Sequence, residues 1–176
     1  SQALMLNLGN ITDTRMESIR ISAETAAKEN IPVLLDAVGV ACSRLRRNYT
    51  HELLTMLTPT GIKGNYSEIN ALYQDSYCSS GVDADASLDI STIDRCTVAL
   101  ARERKTIILA SGKVDILTDE HRLMHIHNGT PQLSTVTGTG CMLGALCATY
   151  LSADRSMDAV IAACALMGIS GEKCFV

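Results

Sequence analysis

A chain of 176 residues, 47% of them hydrophobic, is long enough for one globular domain with a substantial core. Its net charge of −4, with acids and bases interspersed and no Trp, offers no basic, aromatic-laced surface for nucleic acid. No apolar run reaches membrane-spanning length, and seven cysteines, an odd number without a Cys-x-x-Cys pair, point to a reduced, cytoplasmic protein rather than a disulfide scaffold.

In chain order, strands alternate with helices. Ala3 to Leu8 reads as a buried strand ending at Gly9. Thr12 or Asp13 caps a helix running to about Glu29, with Met16, Ile19, Ala23, Ala26 and Ala27 on one face. Pro32 opens a second strand, Val33 to Asp36, which stops in the loop around Gly39. A short helix is expected from about Thr50 to Leu57, closed by Pro59, then a brief strand at Ile62-Lys63 and a helix from about Asn65. Gln74 to Asp89 reads as a polar loop. Ser91 to Glu103 is helical and leads into a strand from Lys105 to Ala110. Val114 to Thr118 and Arg122 to His127 form a hairpin around Asp119-Glu120. Two largely apolar helices, about 139–152 and 156–169, close the chain. This alternation predicts an α/β fold: a mostly parallel sheet with helices on both faces, in a single domain.

Ligands in such folds collect at the C-terminal ends of the strands. The segments Asn7-Leu8-Gly9, Asp36 to Gly39, Lys63-Gly64-Asn65, Ser111-Gly112-Lys113 and the turn at 138–140 are all polar or glycine-rich, and are expected on one rim. The turn is the most informative of them. In Thr137-Gly138-Thr139-Gly140-Cys141, two glycines precede an apolar helical run, so free N–H groups and a helix dipole meet at an anion-binding position. Cys141 falls in the first turn, where a thiol is most easily ionised. The spacing is neither a dinucleotide fingerprint nor a P-loop, and a buried small cysteine after a glycine turn is the competing reading.

The other rim residues also have two readings each. Asp36 ends an apolar strand, where a carboxylate suits a hydrated magnesium ion or a local loop cap. Glu68, three residues after Asn65, shares a helix face with it and can serve a metal-bound phosphate, although the same residues spell a capping box, the stronger reading on local grounds. Lys63 places before that helix either a mobile cation for a phosphate or a simply solvated charge, and Ser111 places at another strand end a hydroxyl that donates to a phosphate oxygen or starts a turn. His121, His125 and His127 lie on one face of an expected strand and invite a metal, but no Cys or carboxylate partner is evident beside them. A Cys–His hydrolase built on Cys141 would leave the phosphate-binding features unexplained; phosphoryl transfer covers more of the rim.

These residues resemble the hydroxyethylthiazole kinase family of the ribokinase-like superfamily. The similarity runs in order through Leu4 to Gly9, Val33 to Gly39, Gly64 to Ile69, Gly112 to Asp115, His127-Asn128-Gly129 and Val136 to Leu143. Its most specific element is Gly138-Thr139-Gly140-Cys141, because most other members of that superfamily carry Asp where this chain has Cys141. The resemblance implies a three-layer ribokinase-like fold and an ATP- and Mg²⁺-dependent kinase of the thiamine pathway, a homotrimer with sites between subunits that binds neither nucleic acid nor membrane. It makes Gly138, Thr139 and Gly140 the anion hole, with Gly138 also touching the thiazole, and puts Cys141 beside the substrate hydroxyl. Asp36 and Glu68 would organise the metal, and Lys63 and Ser111 the nucleotide. Lys63 stands where the family usually has Arg, and Ala37 where it usually has Pro. The resemblance further implies a single kinase domain over 1–176 lacking the family's amino-terminal segment. Another ribokinase-like kinase, for instance of a hydroxymethylpyrimidine, and an inactive nucleotide-binding module are the alternatives.

Overall fold

The computed structural model describes residues 2–74 and 89–174, so all but the two ends of the polar loop expected at 74–89, Cys78 included, lies outside the described residues. Its first unit is β1 (Leu4–Asn7), α1 (Asp13–Lys28) and β2 (Val33–Asp36). Thr12 caps α1 by accepting the Arg15 N–H, and Lys28 sits in the last turn, where its charge suits the helix dipole. The next crossover is α2 (Arg44–Met56), leading to β3 (Gly61–Asn65). The helix begins six residues before the expected Thr50, because Ser43 caps it and Arg47 buries its guanidinium on the Val40 and Ala41 carbonyls. A run rich in arginine that reads as solvated loop is thereby a helix start.

After β3 the chain enters α3 (Tyr66–Tyr73), then α4 (Ile90–Arg104) and β4 (Ile107–Ser111). β5 (Asp115–Thr118) and β6 (Leu123–Ile126) form the expected hairpin. A 3₁₀ turn at Pro131–Thr135, which the sequence pattern did not signal, leads to α5 (Thr139–Ala153) and α6 (Met157–Cys174). The last helix continues past the expected 169.

Among the described residues the six strands make one sheet in sequence order, parallel from β1 to β4 and antiparallel from β4 to β6. Parallel neighbours joined by crossovers of one hand put their helices on one face. Accordingly α1 to α4 cover one side of the sheet, while α5 and α6 pack on β1, β2, β5 and β6 from the other.

The pleat divides the core accordingly. Leu6, Val33, Leu35, Ile62, Ile108 and Ile116 enter the larger core under α1–α4. Leu34, Ile107, Leu109 and Leu117 face Leu143, Cys147, Leu151, Val160 and Cys164 of α5 and α6. Strand side chains alternate between faces, so Asn7, Asp36 and Lys63 all fall on the α5 side. The mostly parallel α/β architecture expected from the sequence is the one observed.

Candidate active site

The register brings three strand-end side chains into a row, with Asn7 beside Asp36 across β1–β2 and Asp36 beside Lys63 across β2–β3. Asp36 is fully buried and Lys63 is 3% exposed. Lys63 Nζ donates to Asp36 Oδ1 at 3.1 Å, and Asn7 Nδ2 donates to Asp36 Oδ2 at 3.0 Å. Burial pushes the Asp36 carboxyl above its ordinary range, against the pull of Lys63, Asn7 and Cys141.

The start of α5 lies over this row. Gly138 caps the helix in the left-handed region, with φ of 98°, and makes no side-chain cap bond. The first helical bond runs from Met142 N to Gly138 O, so the N–H groups of Thr139, Gly140 and Cys141 have no partner within the helix. Thr139 turns its hydroxyl away, donating to Leu133 O at 2.8 Å. A Cβ on Gly140 would stand 3.3 Å from Lys63 Nζ, which places that ammonium under the glycine turn. Cys141 is exposed, and its Sγ accepts from Asn7 Nδ2 at 3.3 Å. One residue type serves the close approach again at Gly144, where an added Cβ would meet Met5 Cε at 2.5 Å and Asp36 Oδ2 at 3.3 Å.

Glu68 enters from the opposite side of the sheet edge. Its Oε1 accepts the Gly39 N–H and its Oε2 the Asn65 N–H, each at 2.7 Å, while Asn65 Oδ1 accepts the Glu68 N–H at 2.9 Å. This is a complete capping box with a third bond that fastens the loop after β2 to the head of α3. Burial raises the Glu68 carboxyl, and the two N–H groups and Lys63 oppose it. Ser111 pairs in register with Asn65 and donates to Gly64 O at 3.3 Å.

The row Asn7–Asp36–Lys63, the open head of α5 with Gly138, Thr139, Gly140 and Cys141, the Glu68 box and Ser111 thus gather at one rim. The histidines do not join it. Only His125 lies within β6, with Nε2 2.7 Å from Asp94 Oδ1, and His121 faces Glu120. Among the described residues no group of three or more His, Cys, Asp or Glu is arranged to hold a metal.

Two site residues have partners that the sequence does not show. Asn7 was visible only as a strand end; its link to Asp36 depends on the β1–β2 register, which spacing does not reveal. Asp115 begins β5 and accepts from Gly112 N at 3.1 Å. Burial pushes its carboxyl up to about 6, although Lys63 is near enough to pull it down. The available signal was a carboxylate at the start of an otherwise apolar strand.

The arrangement offers unpaired helix N–H groups and a buried lysine for an anion, with a thiol and a carboxylate beside them. Such an arrangement can hold a phosphate with a proton acceptor next to it.

The model of the hydroxyethylthiazole kinase family matches residues 1–176. A hydroxyethylthiazole kinase 2 of Clostridium botulinum is 42% identical over 178 residues, covering 98% of this chain and 67% of the relative. The solved structure of a hydroxyethylthiazole kinase from Pyrococcus horikoshii superposes with a TM-score of 0.88 at 28% identity, covering 99% of this chain and 64% of that one. A ribokinase-like superfamily protein of Enterococcus faecalis has a TM-score of 0.67 at 11% identity, covering 97% of this chain and 55% of that one, and shares the fold. The chain spans about two thirds of the length of the hydroxyethylthiazole kinases it matches.

Proposed function

The chain belongs to the hydroxyethylthiazole kinase family, and from that premise we propose that it phosphorylates the primary alcohol of 4-methyl-5-(2-hydroxyethyl)thiazole with ATP, in thiamine biosynthesis or salvage. The observation that carries the reading is the open N-terminus of α5 standing over Lys63, with Cys141 tied to the strand-end row.

The thiazole hydroxyl attacks the γ-phosphorus in line. An O–P bond forms, the bond to the β-phosphate oxygen breaks, and ADP leaves. The unpaired N–H groups of Thr139, Gly140 and Cys141 face the charge on the transferred group, and Lys63 adds a cation beneath them. The hydroxyl passes its proton to Cys141 Sγ as the thiol hydrogen moves to the Asp36 carboxylate, so Asp36 gains the one proton and Cys141 remains a thiol. Gly138, without a side chain, leaves room for the thiazole, and Ser111 and Lys63 serve the nucleotide phosphates.

Magnesium suits this rim as an ion that arrives on the nucleotide and keeps most of its water. The oxygens of Asp36 and Glu68 already accept N–H groups, so these carboxylates would hold it through water rather than directly. When bound, the ion neutralises phosphate charge. The working protein is a cytoplasmic homotrimer with sites between subunits; among the described residues no helix is long and apolar enough to cross a membrane.

ADP release from Mg²⁺-ATP, with and without hydroxyethylthiazole, tests the reading. Turnover that depends on the thiazole is expected. ADP release indifferent to the thiazole, or none, would count against it.

A further inference from the structure

Asn7 has three hydrogen bonds that together leave its amide a single orientation. Its Oδ1 accepts the Gly9 N–H at 2.9 Å, which commits the oxygen to its own loop. Nδ2 must then face the other way, where its two hydrogens reach Asp36 Oδ2 at 3.0 Å and Cys141 Sγ at 3.3 Å. Gly9 completes the device, because a Cβ there would press to 2.9 Å from Asn7 Oδ1. The sulfur and the carboxylate are brought together from elements separated by 134 and 29 residues from Asn7, and one side-chain amide spans both.

We propose that Asn7 is a positioning residue: its amide bridges Cys141 and Asp36 and fixes the thiol sulfur against the buried carboxylate. A rotatable thiol at an exposed helix start has several rotamers open to it. The Asn7 N–H selects the one that points at Asp36, and it occupies the sulfur lone pair on that side. Asn7 acts through Cys141 and need not touch the substrate. The kinetic part of this inference rests on the kinase reading; the geometric part does not.

Both parts are tested in the same chain. Site-resolved alkylation with iodoacetamide at a single pH, read by peptide mass spectrometry, compares Cys141 with the exposed Cys42 and Cys174. Asn7→Ala removes the N–H that holds the sulfur and is expected to change alkylation of Cys141 at least threefold relative to those two, in either direction. Continued protection of buried Cys96, Cys147 and Cys164 shows that the fold is kept; if Asn7→Ala loses it, Asn7→Ser, whose hydroxyl can still take the Gly9 N–H, replaces it with the same expectation. An unchanged Cys141 ratio overturns the proposal whether or not the chain is a kinase.

In turnover, Asn7→Ala is expected to lower kcat at least tenfold with KM for ATP within twofold. In a Cys141→Ala background the same substitution is expected to cost less than twofold. An equal cost in both backgrounds means that Asn7 does not act through the thiol, and overturns the proposal. If the unsubstituted chain shows no thiazole-dependent turnover, the kinase reading fails, and the alkylation ratio alone decides the role of Asn7.

Discussion

Lys63 is the only cation that the described residues place in an ion pair with Asp36, and both groups are out of water. An isolated carboxylate at that depth is far costlier than a paired one. Lys63→Met is therefore expected to remove about 3–5 kcal/mol of stability, the usual cost of breaking a buried pair from one side. Asp36 can reduce the loss by taking up a proton. Its folded pKa, already raised by burial, then stands further above the unfolded value, and a raised carboxyl confers stability below its unfolded pKa that is lost as pH rises through the folded one. Urea unfolding at pH 5 and pH 8 checks this: the deficit is expected to be larger at pH 8, and an equal deficit at both would mean that Asp36 is not the group left uncompensated. At this scale Asp36, Lys63 and Cys141 were legible, because each sits where a strand end or helix start assigns a side chain to the rim. Asn7 and Asp115 were not, since their partners are set by register rather than by spacing. Glu68 has two readings in sequence, and its bonds to Gly39 and Asn65 display the capping one.

Among the elements, α5 packs directly on the sheet at the site. Gly144 is what allows its second turn to settle on β1 and β2, since an added Cβ would fall 2.5 Å from Met5 Cε. Met5 is flexible and half-buried, so the helix need not be expelled, but overpacking of this kind typically costs about 1–3 kcal/mol. Gly144→Ala is expected to lower stability by that amount in denaturant unfolding. It is also expected to slow thiazole-dependent turnover more than Ala substitutions on the exposed side of α5, because Asp36 Oδ2 stands 3.3 Å from the same position. No difference from an exposed-face control such as Thr149→Ala would remove the packing argument. Most elements were readable, with ends within a few residues, from apolar runs punctuated by Pro, Gly and capping residues. The exceptions have physical reasons. The start of α2 was hidden because Arg44, Arg46 and Arg47 resemble a solvated run, whereas Arg47 satisfies loop carbonyls inside the protein. The 3₁₀ turn at Pro131–Thr135 is too short to carry a period.

Taken as one molecule, the protein concentrates raised carboxyls on one rim: Asp36, Glu68 and Asp115, each lifted mainly by burial. Asp115 gives the clearest test because its carboxyl is pushed up to about 6 and it lies outside the Asp36–Lys63 pair. Burial lifts it from the ordinary aspartate value of about 4, so between those limits it binds more protons folded than unfolded. Stability therefore falls as pH rises from about 4 to 6. Asp115→Asn retains an oxygen for the Gly112 N–H and removes the titration. The variant is expected to match the parent near pH 4 and to exceed it by about 1 kcal/mol at pH 7. A parallel pH profile for the two proteins would show that Asp115 is not the titrating group. The fold class was legible at this scale because the strand–helix alternation is regular. The division of the core into two unequal halves was not, since it follows from which helices cross which face of the sheet.

That division has a temporal consequence. The half under α1–α4 is built from neighbours in sequence, whereas Cys141 meets Asn7 across 134 residues. Contacts of such separation form at a high entropic cost and tend to come late. Asp36 and Lys63 stand side by side as soon as β2 and β3 pair, yet the thiol and the open helix head reach them only when α5 docks. A partly opened molecule that releases α5 and α6 alone keeps most of its core and Lys63 but loses the thiol and the helix N–H groups of the site. Hydrogen exchange at the α5 amides therefore reports the fraction of molecules in which the site exists, independently of the fraction that is folded elsewhere.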